Sequence, residues 1–287
     1  MADLTPSLLI GTDFRENSKN ALRTGLIWAK QMILESHVTY VHSSPVSRKA
    51  LKSAHIIDQT SEEYLEASLI EKIKNQVSVL DPTGSKVQNI HYKILYGQPA
   101  IELARQATEM NPELLVLGTK ERGPLGQIFL GSVTEKIIQT CTYPVLAVRD
   151  QFAIAPERIT FLCDFSSISV RAWQWAKKLA SVFHADLEIV HAITGKEETL
   201  QTAEKLAKKE LSMMIEEDST QKLSSVILRS YGHPKDAILD HLIQHRPHLL
   251  VMGSHGRSAL KKLSLGSNAD YLLSKSDCNI LVVRPTI

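Results

Sequence analysis

Short apolar runs alternate along this chain with longer stretches in which apolar positions recur every three or four residues. Leu8-Leu9-Ile10-Gly11-Thr12 reads as a first strand ending in Asp13-Phe14. The 3.6-residue period of Leu22, Leu26, Ala29 and Ile33 predicts a helix from about Ser18 to Ile33. Val38 to His42 follows as a second strand, and a polar loop runs from Ser43 to about Gln59. Thr60-Ser61-Glu62-Glu63 has the form of a capping box, opening a helix whose stripe is Leu65, Leu69, Ile73 and Val77. Asn89 to Tyr96 predicts a third strand, and Gly97-Gln98-Pro99 leads into the next helix. Glu113 to Leu117 reads as a fourth strand, Ser132-Val133-Thr134-Glu135 as another capping box, and Val145 to Val148 as a fifth strand.

The series then starts again. Ile159 to Phe165 parallels the first strand and its Asp-Phe ending, and Ile189-Val190-His191 parallels Tyr40-Val41-His42. Tyr231-Gly232-His233-Pro234, Leu250-Val251-Met252-Gly253, Leu265-Gly266-Ser267 and Leu281-Val282-Val283-Arg284 each match a segment 135 positions earlier, from Tyr96 through Arg149. Matches in one order at one offset identify a duplication. The predicted halves are 1–150 and 157–287, joined through Pro156. Strands alternating with helices imply parallel sheets covered on both faces, with ligand sites beyond the carboxyl ends of the strands.

The stretch that carries chemistry begins at Leu249 and runs through Ser267. Gly253 ends a strand, where a missing side chain lets a ligand approach the backbone. Gly256 suits a turn, and Gly266-Ser267 opens a helix whose free N–H groups favour an anion. Ser267 is a candidate cap or phosphate contact. Neither a P-loop nor the dinucleotide fingerprint is present, and a loop that uses glycines only for turning stays open on these residues alone.

With its motifs quoted, the chain resembles the universal stress protein family in its tandem two-domain form. The family's Gly, two residues, Gly, nine residues, Gly-Ser/Thr motif is met in full by Gly253, Gly256 and Gly266-Ser267. The resemblance implies two repeated open parallel five-stranded sheets of order 3-2-1-4-5, with helices on both faces, packed as a pseudo-dimer. It implies ATP or another adenine nucleotide, with or without Mg2+, bound in the second half. Asp164 would meet the nucleoside, and His191 and Ala192 the adenine. Met252, Gly253, Ser254, His255, Gly256, Gly266, Ser267 and Asn268 would surround the phosphates. In the first half Asp13, Gly118, Gly131 and Ser132 are the matching positions, but Glu121 stands where the second glycine belongs. Lys120 and Arg122 flank it. A carboxylate facing phosphates costs free energy, so the first site reads as degenerate.

Length and composition narrow the rest. The 287 residues suit two domains, and a formal net charge of +2 gives no reason to invoke nucleic acid or a membrane surface. The N-terminus carries no basic stretch ahead of an apolar one, so no signal peptide is expected. Cys141, Cys163 and Cys278 form no C-x-x-C pair, which points to a cytoplasmic protein. His241 and His245 share a helix face, but beyond His248, which follows Pro247, no third ligand stands at a recognised spacing, so they read as a solvated helix end and no metal is expected. His42 and His191 read as partly buried and hydrogen-bonded. No nucleophile elbow or paired Cys/His arrangement appears. The expected function is a nucleotide-dependent stress regulator whose output is a contact with an unidentified protein partner. An interaction module without nucleotide and a slow ATPase are the alternatives. Homodimerisation of the tandem chain stays open.

Overall fold

The computed structural model describes residues 5–43, 59–80, 89–119, 130–149, 154–216, 222–255 and 265–285. The chain divides into two compact units, one carrying the first five strands and the other the last five.

In the first unit the strands are β1 (Ser7–Thr12), β2 (Glu35–His42), β3 (Ile90–Tyr96), β4 (Leu114–Gly118) and β5 (Val145–Val148). The described helices are α1 (Glu16–Met32), α2 (Gln59–Leu80), α3 (Pro99–Met110) and α4 (Ser132–Thr140). All pairings are parallel and give the order β3-β2-β1-β4-β5. The second unit repeats the plan with β6 (Arg158–Leu162), β7 (Asp186–Thr194), β8 (Leu223–Ser230), β9 (Leu249–Gly253) and β10 (Asn279–Val283). Its helices are α5 (Ser167–Phe183), α6 (Glu197–Glu216), α7 (Pro234–His245) and α8 (Ser267–Lys275). The parallel order here is β8-β7-β6-β9-β10. In each unit the expected 3-2-1-4-5 order holds.

Burial explains why these runs become these strands. All six residues of β1 and the first four of β4 are buried, because helices cover both faces of an inner strand, and β5 and β10 are buried throughout as well. In β3 and β8, at the edges, exposed positions interrupt the run. Each buried Val, Leu or Ile side chain contributes about 1.5–3 kcal/mol, and this term holds the sheets together. In α6, Leu200, Ala207 and Leu211 recur at helical spacing and are buried.

Several local expectations need correction. β2 starts at Glu35, because parallel pairing with β1 recruits the polar segment Glu35-Ser36-His37. In α2 the stripe is buried at Ile73 and Val77, but Leu65 stays exposed. That helix already includes Gln59, and the side chains of the Thr60–Glu62 part of its capping box lie outside the described residues. The Ser132–Glu135 box does not form: the N-cap is Gly131 and makes no side-chain cap bond. Ser132 is already the first helical residue, one position too late to cap. Ser267 likewise does not cap α8, whose N-cap is Gly266.

Helix ends show how far the duplication reaches into backbone geometry. The C-caps of α1 and α5, Ile33 and His184, both sit in the left-handed region, as do those of α3 and α7, Asn111 and Arg246. This cap returns N–H groups to the last helical carbonyls. For Ile33 it places a β-branched side chain where L residues resist going.

Candidate functional site

The carboxyl ends of β6, β7 and β9 lie side by side, because β6 pairs with β7 on one flank and β9 on the other. Asp164 follows β6. Its Oδ1 accepts the Ser166 N–H at 3.0 Å, while its own N–H donates to Ser169 Oγ at 3.2 Å. Ser166 Oγ accepts the Ser169 N–H and caps α5. The turn forces Phe165 to φ 56°, a left-handed conformation unfavourable for a bulky residue. Phe14 repeats it at φ 65° after Asp13. Strain retained at the same step of both halves marks that turn as a feature the fold maintains.

His191 stands beside this turn. Its Nδ1 lies 2.7 Å from the Cys163 carbonyl oxygen. A carbonyl only accepts, so Nδ1 carries the proton and the ring is fixed in one tautomer. The ring lies against Phe165, centroids 4.6 Å apart. Ala192 is next along β7, paired with Leu228 of β8. Strand register corrects the repeat at this point. Val190 pairs with Leu162, two residues before Asp164, and Thr39 pairs with Gly11, two residues before Asp13. The counterpart of His191 is therefore Tyr40 rather than His42, and Tyr40 makes the same 4.6 Å ring contact with Phe14.

On the other flank β9 delivers Met252 and Gly253, paired with Val282 and Val283 of β10. The Ser254 N–H donates to the Val283 carbonyl at 2.9 Å, and the Ser254 carbonyl accepts the Gly266 N–H at 2.9 Å. These bonds pin both ends of the glycine loop and set α8 directly at the strand end. Gly266 and Ser267 therefore present the amino-terminal end of a helix with no side-chain cap, and Asn268 lies in its first turn. Such an end favours an anion. Asp270, also in that first turn, meets part of the same dipole. Gly256 lies outside the described residues.

Buried His255 contacts Ser254, with Nδ1 2.7 Å from Oγ. Burial, and then the charge of Arg284, hold its pKa below the ordinary histidine value, so the ring is neutral at neutral pH. Its Nε2 is buried with no hydrogen-bond partner among the described residues. Gly253 has a tighter role than the sequence suggests. A Cβ there would stand 2.9 Å from Ile168 Cγ2, so the glycine makes room for the first turn of α5.

In the first half the same elements meet with different side chains. Asp13 Oδ1 accepts the Arg15 N–H at 3.0 Å, in the same turn as at Asp164. Phe14, Tyr40, His42 and Tyr96 form a chain of rings with centroids 4.6, 6.3 and 5.8 Å apart, and Lys72 Nζ lies 4.3 Å above Phe14. Burial, and then Asp13, push the Tyr40 phenol up. A Cβ on Gly118 would stand 2.6 Å from the Asn17 carbonyl oxygen. The Gly118 carbonyl accepts Thr134 Oγ1 at 2.7 Å, where the second half has Ala269 and no hydroxyl. Gly131 and Ser132 open α4 as Gly266 and Ser267 open α8. Lys120, Glu121 and Arg122 lie outside the described residues, as does most of the Ser43–Gln59 loop.

The histidine pair on α7 departs from expectation. His241 is no solvated residue: it is 6% exposed, and its Nε2 lies 2.8 Å from Glu188 Oε2 on β7. Sequence spacing missed Glu188, because it lies 53 positions away and only the packing of α7 on β7 brings it in.

Two segments of the chain, residues 6–149 and 156–284, match the family model described as "Universal stress protein family". A universal stress protein of Methanocaldococcus jannaschii is 32% identical over 149 residues, covering 51% of this chain and 84% of that protein. Universal stress protein YxiE of Bacillus subtilis is 28% identical over 151 residues, covering 50% of this chain and 97% of that protein. Each of these relatives is thus about the size of one half. The crystal structure of a universal stress protein from Archaeoglobus fulgidus superposes with a TM-score of 0.72 at 20% identity, covering 97% of this chain and 98% of that one. That match shows a shared fold across both halves. Among the described residues, no helix is long and apolar enough to cross a membrane.

Proposed function

This chain belongs to the universal stress protein family, and on that premise we propose that its second half binds ATP or another adenine nucleotide, with or without Mg2+, and that occupancy governs contact with a protein partner. One observation carries the reading. The two ends of the glycine loop, Ser254 and Gly266, are hydrogen-bonded together at the head of an uncapped helix, at the strand ends where Asp164 and His191 also emerge. An anion placed there meets free backbone N–H groups and the positive end of α8. A neutral His255, whose Nε2 has no partner among the described residues, supplies a further hydrogen bond without a charge to desolvate. The Asp164 carboxylate keeps acceptor capacity beyond its single turn bond, which suits ribose hydroxyls. Binding would add contacts at the two pinned ends of the loop and so change the surface offered to a partner.

A cytoplasmic setting is part of the same reading, supported by three buried, unbridged cysteines. The expectation that the halves pair as a pseudo-dimer rests on the family resemblance. A second reading, an interaction module without nucleotide, draws on Gly118 and Gly253: both fill a packing requirement at a helix start, so a glycine there is explained without a ligand.

Calorimetric titration of the nucleotide-free chain with ATP separates the two. One site per chain is expected. Gly266 has φ −65° and ψ 148°, which any residue adopts, and aspartate is a better N-cap than glycine. Gly266→Asp should therefore keep the fold while placing a negative charge against the phosphates. A loss of affinity of at least about a hundredfold is expected, the size of a like-charge contact near a protein surface. Gly131→Asp is expected to leave the isotherm unchanged. Two sites in the parent chain, or ATP binding indifferent to Gly266→Asp, would overturn the second-half assignment. No binding at all would favour the interaction module.

A further inference from the structure

Glu188, His241 and His245 stand together on the side of the second sheet away from the glycine loop. Glu188 is the third residue of β7, near its amino end, while His241 and His245 occupy the last turns of α7. The glycine loop and Asp164 belong to the carboxyl ends of the strands. One ligand atom from each of the three side chains lies within 4.8 Å of the others. We propose that these residues form a binding site for a divalent transition-metal ion of the zinc type, separate from the candidate nucleotide site.

The donor set is the first argument. Two imidazoles and one carboxylate suit zinc, and three protein ligands leave a fourth position for water or an outside group. Magnesium and calcium prefer all-oxygen sites and are disfavoured by two nitrogen donors. Spacing is the second argument. His241 and His245 are four residues apart, so α7 sets both rings on one face, with centroids 4.0 Å apart and planes 20° from parallel. Their nitrogens can converge on one ion after small side-chain rotations. His245 is exposed, which gives the ion a route in.

The third argument is the support behind the ligands. Glu188 is 23% exposed at its side chain and is held from two sides, by His241 and by the hydroxyl of buried Thr160. The carboxylate is thus held in place before any ion arrives. Without metal, the 2.8 Å contact between His241 Nε2 and Glu188 Oε2 is a hydrogen bond. The ion would replace that proton, leaving the ring proton on the other nitrogen. Ligation would then tie α7 to β7.

The first half provides an internal contrast. Its register matches Glu188 to His37, and the constant offset matches His241 and His245 to Gln106 and Met110. Its α3 therefore offers no imidazole pair, so this helix-and-strand arrangement belongs to the second half alone. A different group, Glu35, His37 and His91, lies at the amino ends of β2 and β3, with ion-pair distances of 4.0 and 3.4 Å. It is more exposed and comes from two strands without a helix pair, so it serves as a control.

The test uses the full chain, stripped with chelator and free of nucleotide, titrated with ZnCl2 and separately with CoCl2. One His245-dependent ion per chain is expected, with Co2+ giving the visible ligand-field bands of a tetrahedral N/O site and Zn2+ raising the thermal midpoint. His245→Ala removes an exposed side chain and should leave the fold intact. It should weaken binding by at least about tenfold, the loss that even an outer-shell partner causes. Glu188→Gln should do the same and His91→Ala should not. The proposal fails if the parent takes up no Zn2+ at micromolar concentration. It also fails if His245→Ala and Glu188→Gln bind as the parent does.

Discussion

The two halves carry one topology but treat their strand ends differently. In the first half the Gly118 carbonyl is occupied by Thr134 and the Asp13 turn is backed by a train of aromatic rings. In the second half Ala269 leaves that carbonyl without a hydroxyl, and His191 is locked to Cys163 beside the Asp164 turn. Among the described residues the first half satisfies its strand-end carbonyl with a side chain, whereas the second does not and carries the buried, neutral His255 after its strand end. Duplication thus preserved the scaffold while the chemistry of the two ends diverged.

The sharpest way to press this contrast is at the strand-end glycines. Gly118→Ala drives a Cβ into a backbone carbonyl, which cannot rotate away, while Gly253→Ala meets the Ile168 side chain. About 3 kcal/mol of destabilisation is expected for the first and about 1 for the second. Urea denaturation, followed separately for each half's transition, measures both, and equal losses would mean the two strand ends are equally rigid.

Helix caps come next. Ile33 is a β-branched, 90% exposed residue in the left-handed region, whereas its counterpart His184 is of a type that enters that region more readily. Ile33→Gly is expected to stabilise by about 1 kcal/mol, and His184→Gly by less. Thermal midpoints of the two variants would show the difference or its absence.

Loss of the Thr134 hydroxyl isolates a bond that the second half lacks. Thr134→Ala should cost about 1 kcal/mol, since it leaves a partly buried carbonyl without its partner. Ala269→Ser in the second half should not cost a comparable amount, and chemical denaturation reads both.

The pH response should trace to different residues in the two halves. Burial, and then Arg284, depress the folded pKa of His255 below the 6.5 of an unperturbed histidine. Below that value the unfolded chain binds a proton that the folded chain does not. Its contribution is therefore complete above about pH 6.5 and is lost as pH falls through the folded pKa. The second half's transition should weaken on acidification, and His255→Gln should flatten that dependence. The first half has Lys120 at the matching position, and its acid response comes instead from His37, which burial and then His91 hold below the ordinary histidine value.

The smallest expected change is at the aspartates. Asparagine makes the same turn, so Asp13→Asn and Asp164→Asn should each shift stability by less than about 0.5 kcal/mol. A larger loss at Asp164 would show that its carboxylate has a structural duty beyond the turn.

Much of this architecture is legible in the amino-acid sequence. Apolar runs bounded by Gly, Pro and Asp mark the strands, because a parallel strand covered on both faces must be apolar at nearly every position. The repeat is legible because strand ends and helix starts recur in one order, at a constant offset from Tyr96 onward, and the glycine motif lies in a single continuous stretch. Other features are hidden for physical reasons. Polar Glu35-Ser36-His37 enters β2 only because β1 offers it partners. The match of His191 to Tyr40 follows from strand register, while the shared His of each second strand points to His42 instead. Gly131 and Gly266 take the caps from Ser132 and Ser267 because each helix has already begun at the serine, one residue earlier than the box pattern assumes.

The sequence by itself determined the alternation of elements, the duplication and the location of the glycine loop, since each depends on neighbours along the chain. Only the tertiary structure decided what stands opposite what. It brought Glu188 to His241 and Thr134 to Gly118, and it packed Ile168 and Asn17 against the strand-end glycines. Those partners are far apart in sequence, and their meeting depends on how helices settle on a twisted sheet, which no local pattern encodes.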